Sequence, residues 1–291
     1  MLQLKSVTGS YIFIKPACFR HEPHLWRTFS FYELTLNHRQ RDDPLLNICN
    51  ALRLGELTLQ QIEVLKSREI DPAKPNYHQM MAEFEHELHI FPTNKLVQKH
   101  NAKCAAKLRQ RTTVYTIKSV DTYADGPQSG QSVDEAFVPS ETKNCAGIAA
   151  VLNLGIGSRV MLLRNVDVGG KLCNGSMGTV VAFQWRCLRQ NPRSESCEMP
   201  ASVEVQFDEA TSSLLNERGN YEVVPQSFRF PGKMGKNISR FQLPLAEACA
   251  FNVHKVQSLS LDRAVVYLGK RHFAKGIIFL SIEHELTTIS W

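Results

Sequence analysis

Two stretches of the chain carry side chains able to hold a ligand. One is His254-Lys255-Val256-Gln257-Ser258, which supplies imidazole, ammonium, amide and hydroxyl groups within five residues. An apolar run, Ala248 to Val253, precedes it, and Leu259, Leu261 and Ala264–Leu268, rich in β-branched residues, follow it. Polar side chains on a turn beside a rigid sheet are well placed to grip a ligand. A plain polar turn in an α/β domain satisfies the same spacing. The other stretch is a helix predicted over 95–108. Lys95, Lys99, Lys103 and Lys107 recur every fourth residue, while Leu96, Val97, His100, Cys104 and Leu108 lie on the other side. A spacing of four places the ammonium groups near one helical stripe, where like charges repel by a few tenths of a kcal/mol each. From Leu88 to Val120 there is no Asp or Glu, and Arg109, Arg111 and Lys118 add further positive charge. The stripe suits a solvated helix face and a polyanion-binding surface alike.

Composition bounds what these groups serve. The chain has 291 residues, enough for two compact units. With 43% hydrophobic and 21% charged residues, wholesale disorder is excluded. A formal net charge of +6 suits a polyanionic partner. No apolar run reaches the length of a membrane span, so no membrane partner is expected. The first residues, MLQLKSVTGSYIFIKP, have neither an apolar core nor a small-residue cleavage site of a secretory signal. None of the eight cysteines is spaced as C-x-x-C, which argues against a zinc site and a disulfide framework and fits a reducing compartment. His86 and His89 fall on a helical pattern with Glu83, Glu85 and Glu87, read as a solvated helix face. No metal-binding set is predicted.

The elements that must position the two stretches follow from local pattern. Pro44 to Leu54 reads as an amphipathic helix stopped by Gly55, and Thr58 as the N-cap of a second helix, Leu59 to Lys66. Leu88 to Asn94 reads as a strand ending in a turn, and Thr113 to Tyr123 as one strand. From Val151 to Phe207 the period shortens to strands separated by glycine turns, among them Asn174-Gly175, which suggests a small β-barrel. Gln190–Pro200 and Pro231–Lys236 read as polar and basic hairpin loops.

Asn252 to Gly269, NVHKVQSLSLDRAVVYLG, resembles motif V of the PIF-type (petite integration frequency) superfamily-one ATP-dependent DNA helicases, close to T-I-H-K-S-Q-G-L-T-L-D-R-V-V-V-D-L-G. It departs at Asn252 for Thr, Val256 for Ser and Ser258 for Gly. A second block, Gly157 to Asp167 with Asn174 to Val180, is similar to the family's G-x-R-V-M-L-L-R-N-x-D…N-G-x-x-G-x-V. Further likenesses lie at Gln3 to Val7 (motif III, both prolines replaced), at Leu34 to Asp43 with Arg39 in the place of the motif IV arginine, at Arg53 to Thr58 and at Phe91 to Asn94. In motif VI, Phe273 to Ser281, Ile282 stands where the family has an arginine.

The resemblance implies an α/β fold: a RecA-like second helicase domain, of the P-loop NTPase type, with an inserted small Src-homology-like β-barrel. Its expected layout is 1–31 as the end of a first RecA-like domain, 32–149 and 244–291 as two parts of the second, and 150–243 as the barrel. It implies the C-terminal part of a 5′-to-3′ DNA helicase with roles in DNA repair, recombination and telomere maintenance, in nucleus or mitochondrion. The implied single-stranded-DNA contacts are Thr93, Asn94, Lys95, Lys99, His254, Lys255 and Gln257, and Arg39 is the implied nucleotide-phosphate contact, with Gln3 at the motif III position. ATP and Mg belong to the complete family enzyme. No G-x-x-x-x-G-K-[ST] loop is present: Gly170-Lys171 and Gly232-Lys233 lack a following Ser or Thr, and Gly235-Lys236 has Phe230 at the first glycine position. The expectation is therefore no ATP hydrolysis by this chain alone, with a separate polypeptide supplying the first RecA-like domain. A stand-alone single-stranded-DNA-binding or regulatory module, and an inactive truncated copy from a mobile element, are the competing expectations.

Overall fold

A computed structural model describes residues 14–15, 17–30, 32, 44–185, 196–197, 199–256, 263–267 and 288–290. Along the chain come α1 (Pro44–Leu54), α2 (Leu59–Ser67), α3 (Tyr77–Glu83), β1 (Leu88–Phe91), α4 (Asn94–Arg109), β2 (Val114–Lys118), β3 (Val120–Tyr123), β4 (Val151–Gly155), β5 (Arg159–Leu162) and β6 (Met177–Gln184). Then follow β7 (Ser196–Cys197), β8 (Ser202–Phe207), β9 (Tyr221–Val223), β10 (Gln226–Pro231), β11 (Asn237–Gln242), β12 (Leu245–Glu247), β13 (Ala250–Asn252), α5 (Val253–Val256), β14 (Ala264–Tyr267) and β15 (Thr288–Ser290). The chain divides into two compact units, one from residues 1–94 and 251–291, the other from 95–250. The second unit is thus an insertion within the sequence of the first.

The first unit is built on a four-stranded sheet of order β13-β1-β14-β15. β1 pairs with β14 in parallel, Leu88 against Ala264 and Ile90 against Val266, and β14 pairs with β15 in parallel. All four residues of β1 are buried, as are Ala264, Val265 and Val266. Continuous apolar strands are what a parallel sheet covered on both faces requires. Ile70, Phe84 and Val265 form its core, with Tyr77, Met80, Met81 and Tyr267 against it. Gly55, at φ +79°, ends α1 where a side chain would be strained. Thr58 opens α2 with a reciprocal cap: its hydroxyl accepts from the Gln61 amide, and the Gln61 carboxamide accepts from the Thr58 amide.

One expectation fails here. His86 and His89 do not share a solvated helix face, because α3 ends at Glu83. His86 is exposed, while His89 belongs to β1 and is only 2% exposed. Its Nδ1 lies 3.3 Å from the Tyr267 hydroxyl, and its ring stacks on Tyr267. The helical spacing was coincidental, since burial between strands overrode it.

The second unit is β-rich. Its sheets have the orders β10-β11-β3, β12-β5-β6-β8-β9 and β4-β2-β7. Ile117, Leu152, Leu154, Leu162, Val180 and Val205 lie at the centre of one apolar core. The expected single strand over 113–123 breaks in two. Residues up to Lys118 pair with β4, and Val120 onward pairs with β11, so the chain changes partners at Ser119. The β-rich unit therefore begins upstream of residue 150 and takes in α4, β2 and β3. Arg240, 2% exposed, is held by Asp121 through two hydrogen bonds of 2.8 and 2.7 Å and donates to the Ile148 carbonyl.

Candidate nucleic-acid interface

In the first unit the structure joins the two segments that sequence reasoning singled out. β1 ends at Phe91, and Pro92-Thr93 lead into Asn94, the first residue of α4. β13 ends at Asn252, which leads directly into the single helical turn of α5. The Asn252 carboxamide bridges both segments. Its Oδ1 accepts from the Lys255 amide at 2.9 Å, and its Nδ2 donates to Asn94 Oδ1 at 2.5 Å. Asparagine is favoured as an N-cap because its side-chain oxygen satisfies an amide three residues on. That signal was legible in Asn252-Val253-His254-Lys255, yet Asn252 figured in the sequence only as a departure from the motif. The stretch 254–256 is accordingly a helical turn and not an irregular one.

α5 alternates its environment. Val253 and Val256 are buried, whereas His254 and Lys255 are exposed. The buried valines anchor the turn, so Val256, which lacks the hydroxyl of the motif's serine, serves as core. The Lys255 ammonium lies 4.7 Å from the centre of the Phe251 ring, a cation–π arrangement. Protein packed around that head group desolvates it and lowers its pKa from the ordinary lysine value, although the residue as a whole is exposed. Thr93 and Asn94 are also exposed. Hydroxyl, carboxamide, imidazole and ammonium donors are thereby presented from one unit, the inventory suited to phosphate oxygens.

α4 carries the lysine stripe. Lys95, Lys99, Lys103 and Lys107 are all exposed, and none of its residues is buried. No acidic residue occupies its first turn, so the free amides of that turn keep their affinity for anions. Gln257, Arg39, Gln3 and the segment 273–282 lie outside the described residues.

The glycine-rich block of the β-rich unit proves structural. Gly175 sits at φ +104°. A Cβ on Gly178 would stand 2.7 Å from the Gln206 carbonyl oxygen and 2.8 Å from Val205 Cγ1, so only glycine lets β6 lie this close to β8. Asn165 Oδ1 accepts from the Asn174 amide at 2.8 Å. Asp167 accepts from the Ser212 hydroxyl at 2.6 Å and the Gly170 amide at 3.0 Å. The Ser212 bond, with the Gly170 amide behind it, lowers the Asp167 pKa. Asn165 and Asp167 thus fasten the loop between β5 and β6.

The residues present do not fit a nucleotide-phosphate loop. Such a loop runs from a strand into a helix. Gly170-Lys171 lies in the β5–β6 loop, where Lys171 pairs with Glu209 at 2.9 Å. Gly232-Lys233 and Gly235-Lys236 lie in the hairpin between β10 and β11.

Known proteins match parts of this chain. A family model described as "DNA helicase Pif1, 2B domain" matches residues 142–183. The ATP-dependent DNA helicase PIF1 of Emericella nidulans is 27% identical over 95% of this chain and 40% of its own length. Among solved structures, Pif1 helicase from Candida albicans superposes with a TM-score of 0.58 at 21% identity, covering 88% of this chain and 55% of that one. Bacteroides Pif1 in complex with ADP-AlF3 and ssDNA gives 0.54 at 21% identity, covering 89% and 51%. At these identities the structural likeness speaks for the fold. The chain spans 33–40% of the length of the first curated relatives it matches. It is similar to the PIF-type DNA helicases over part of their length.

Proposed function

We propose that this chain is the strand-gripping portion of a PIF-type 5′-to-3′ DNA helicase, and that its partner is single-stranded DNA. The observation that carries this reading is the Asn94–Asn252 hydrogen bond. It fixes Thr93 and Asn94 beside His254 and Lys255, on segments 158 residues apart in sequence. The Bacteroides relative bound to ssDNA supports the choice of partner. In this reading the parallel-sheet unit is the second RecA-like domain and the β-rich unit its Src-homology-like insertion. Gln257, Lys95 and Lys99 are further candidate phosphate contacts, and Arg39 a candidate nucleotide contact. ATP and Mg act only together with a first RecA-like domain. The sites of action would be nucleus or mitochondrion, in repair, recombination or telomere maintenance.

A second reading is favoured by one fact: the sequence contains no phosphate loop. The chain would then be a single-stranded-DNA-binding or regulatory module. A phosphate-release assay with single-stranded DNA should show no turnover by this chain alone, against a median enzyme rate of about 10 s⁻¹. Fluorescence anisotropy with a labelled oligonucleotide at low salt should show binding, and Asn252→Ala should weaken it by roughly 1 kcal/mol as the cap and the Asn94 link are lost. Absence of binding by the unaltered chain would sink both DNA-binding readings.

A further inference from the structure

The β10–β11 hairpin of the β-rich unit leaves one sheet edge open. In the order β10-β11-β3, the outer side of β3 is closed by residues 130–133. Tyr123 donates its amide to the Gln131 carbonyl at 3.0 Å, and its carbonyl accepts from the Gly130 amide at 2.9 Å. The Val133 amide donates to the Asp121 carbonyl at 3.1 Å. Among the described residues, β10 is paired on one side alone, by β11.

The hairpin turn fixes which groups face outward. The Gly232 amide donates to the Lys236 carbonyl at 2.7 Å, and the Asn237 carbonyl accepts from the Ala124 amide, on the β3 side, at 2.9 Å. Ladder bonds in an antiparallel pair fall on alternate residues. Phe230 and Phe228 therefore bond to Ile238 and Arg240, while Ser227 and Arg229 turn their N–H and C=O groups away from β11. Both residues are exposed. Pro231 has no N–H to offer and ends the row, in a place where an edge strand tolerates proline.

Side chains alternate as well. Phe230 is buried and Phe228 half-buried on the core side, whereas the Arg229 side chain, on the other face, is 74% exposed. Asp125 lies 3.9 Å from its guanidinium, and a pair so exposed binds weakly. Lys233 and Lys236 are exposed at the turn. At the far end the Arg164 guanidinium donates to the Gln226 carboxamide, so cations stand at both ends of the edge.

We propose that the open edge of β10 takes an extended acidic peptide of a partner protein as an added antiparallel strand. Ser227 and Arg229 each exchange two backbone hydrogen bonds with it. The peptide residues opposite them are acidic and share the outer face with Arg229. The residues between are apolar and lie along Phe228. A second copy of this chain is the poorer occupant. Two β10 edges paired about a two-fold axis would bring two copies of Arg229 close together, and like charges across strands repel. The net charge of +6 opposes such pairing further.

The test uses the full chain and a fluorescein-labelled peptide of alternating glutamate and valine. Anisotropy should show saturable binding, and lysine in place of glutamate should abolish it. Arg229→Glu should weaken binding roughly tenfold. Methylated peptide amides separate edge pairing from charge alone. Methylation at the glutamates removes the N–H groups that meet β10 and should abolish binding, whereas methylation at the valines should spare it. No saturable binding, equal binding of the lysine peptide, or indifference to methylation at the glutamates would overturn the proposal. So would an oligonucleotide held through Arg229 with no peptide bound, or a dimer of the chain alone that is lost in Ser227→Pro, which removes an outward N–H and no bond to β11.

Discussion

At the scale of single residues, side chains near the candidate interface divide into those that present donors and those that hold the presenters in place. Lys255 and His254 present; Asn252, Val253 and Val256 hold. In the β-rich unit Asp167 is wholly a holder, and its chemistry gives a pH prediction. Its carboxylate accepts from Ser212 and Gly170, which depresses its folded-state pKa below the unfolded value. The sign follows: the stabilisation is fully present above the unfolded pKa of about 4 and is lost as pH falls through the lower folded value. The melting temperature of the chain should therefore drop on acidification below about pH 4, and Asp167→Asn should flatten that part of the profile. An unchanged profile in Asp167→Asn would show that the loop does not depend on the charge. Residues of this kind are hard to read from sequence. Asp167 stands in a motif, but its partner Ser212 is 45 positions away, and nothing local marks the pair. Asn252 is the opposite case, since its capping role was available from the residue type and the three positions that follow.

At the scale of elements, most of the positioning was legible. The lysine period gave α4, Thr58 as N-cap gave the start of α2, and the apolar runs gave β1 and β14. The failures share one cause. Thr113–Tyr123 has the composition of one strand, but its two halves hydrogen-bond to different sheets. His89 fits a helical spacing, but its backbone pairs with Val265. In both, tertiary pairing decided what local pattern left open. The β6–β8 pairing yields a direct test of the glycine block. In Gly178→Ala the new methyl group would press on the Gln206 carbonyl, the Val205 side chain and the Phe207 backbone, which stands 3.0 Å from the Cβ position. Overpacking of this sort costs about 1–3 kcal/mol, and the upper end is expected because backbone atoms cannot turn aside. Chemical denaturation should show it as a lowered midpoint at constant slope. A loss under about 0.5 kcal/mol would mean that the two strands separate more easily than their packing implies.

At the scale of the molecule, a parallel-sheet unit interrupted in sequence by a β-rich one follows from how the chain is threaded. β1 and β13 are sheet neighbours, yet residues 92–249 intervene. That threading brings Asn94 to Asn252, and it made the family resemblance readable as two separated blocks. The molecule as a whole is basic, with a net charge of +6, and α4 alone carries four exposed lysines. If phosphate is what they meet, affinity must depend on salt. Each neutralised phosphate of a single strand contributes a slope of about −0.7 in log K against log salt. Three contacts from Lys95, Lys99 and Lys255 predict a slope of roughly −2. The decisive measurement is the affinity of the intact chain for a labelled single-stranded oligonucleotide across a salt series. A slope near −2 that becomes shallower by about 0.7 in Lys255→Ala is the predicted result, and affinity indifferent to salt, or no affinity at the lowest salt, would contradict the account.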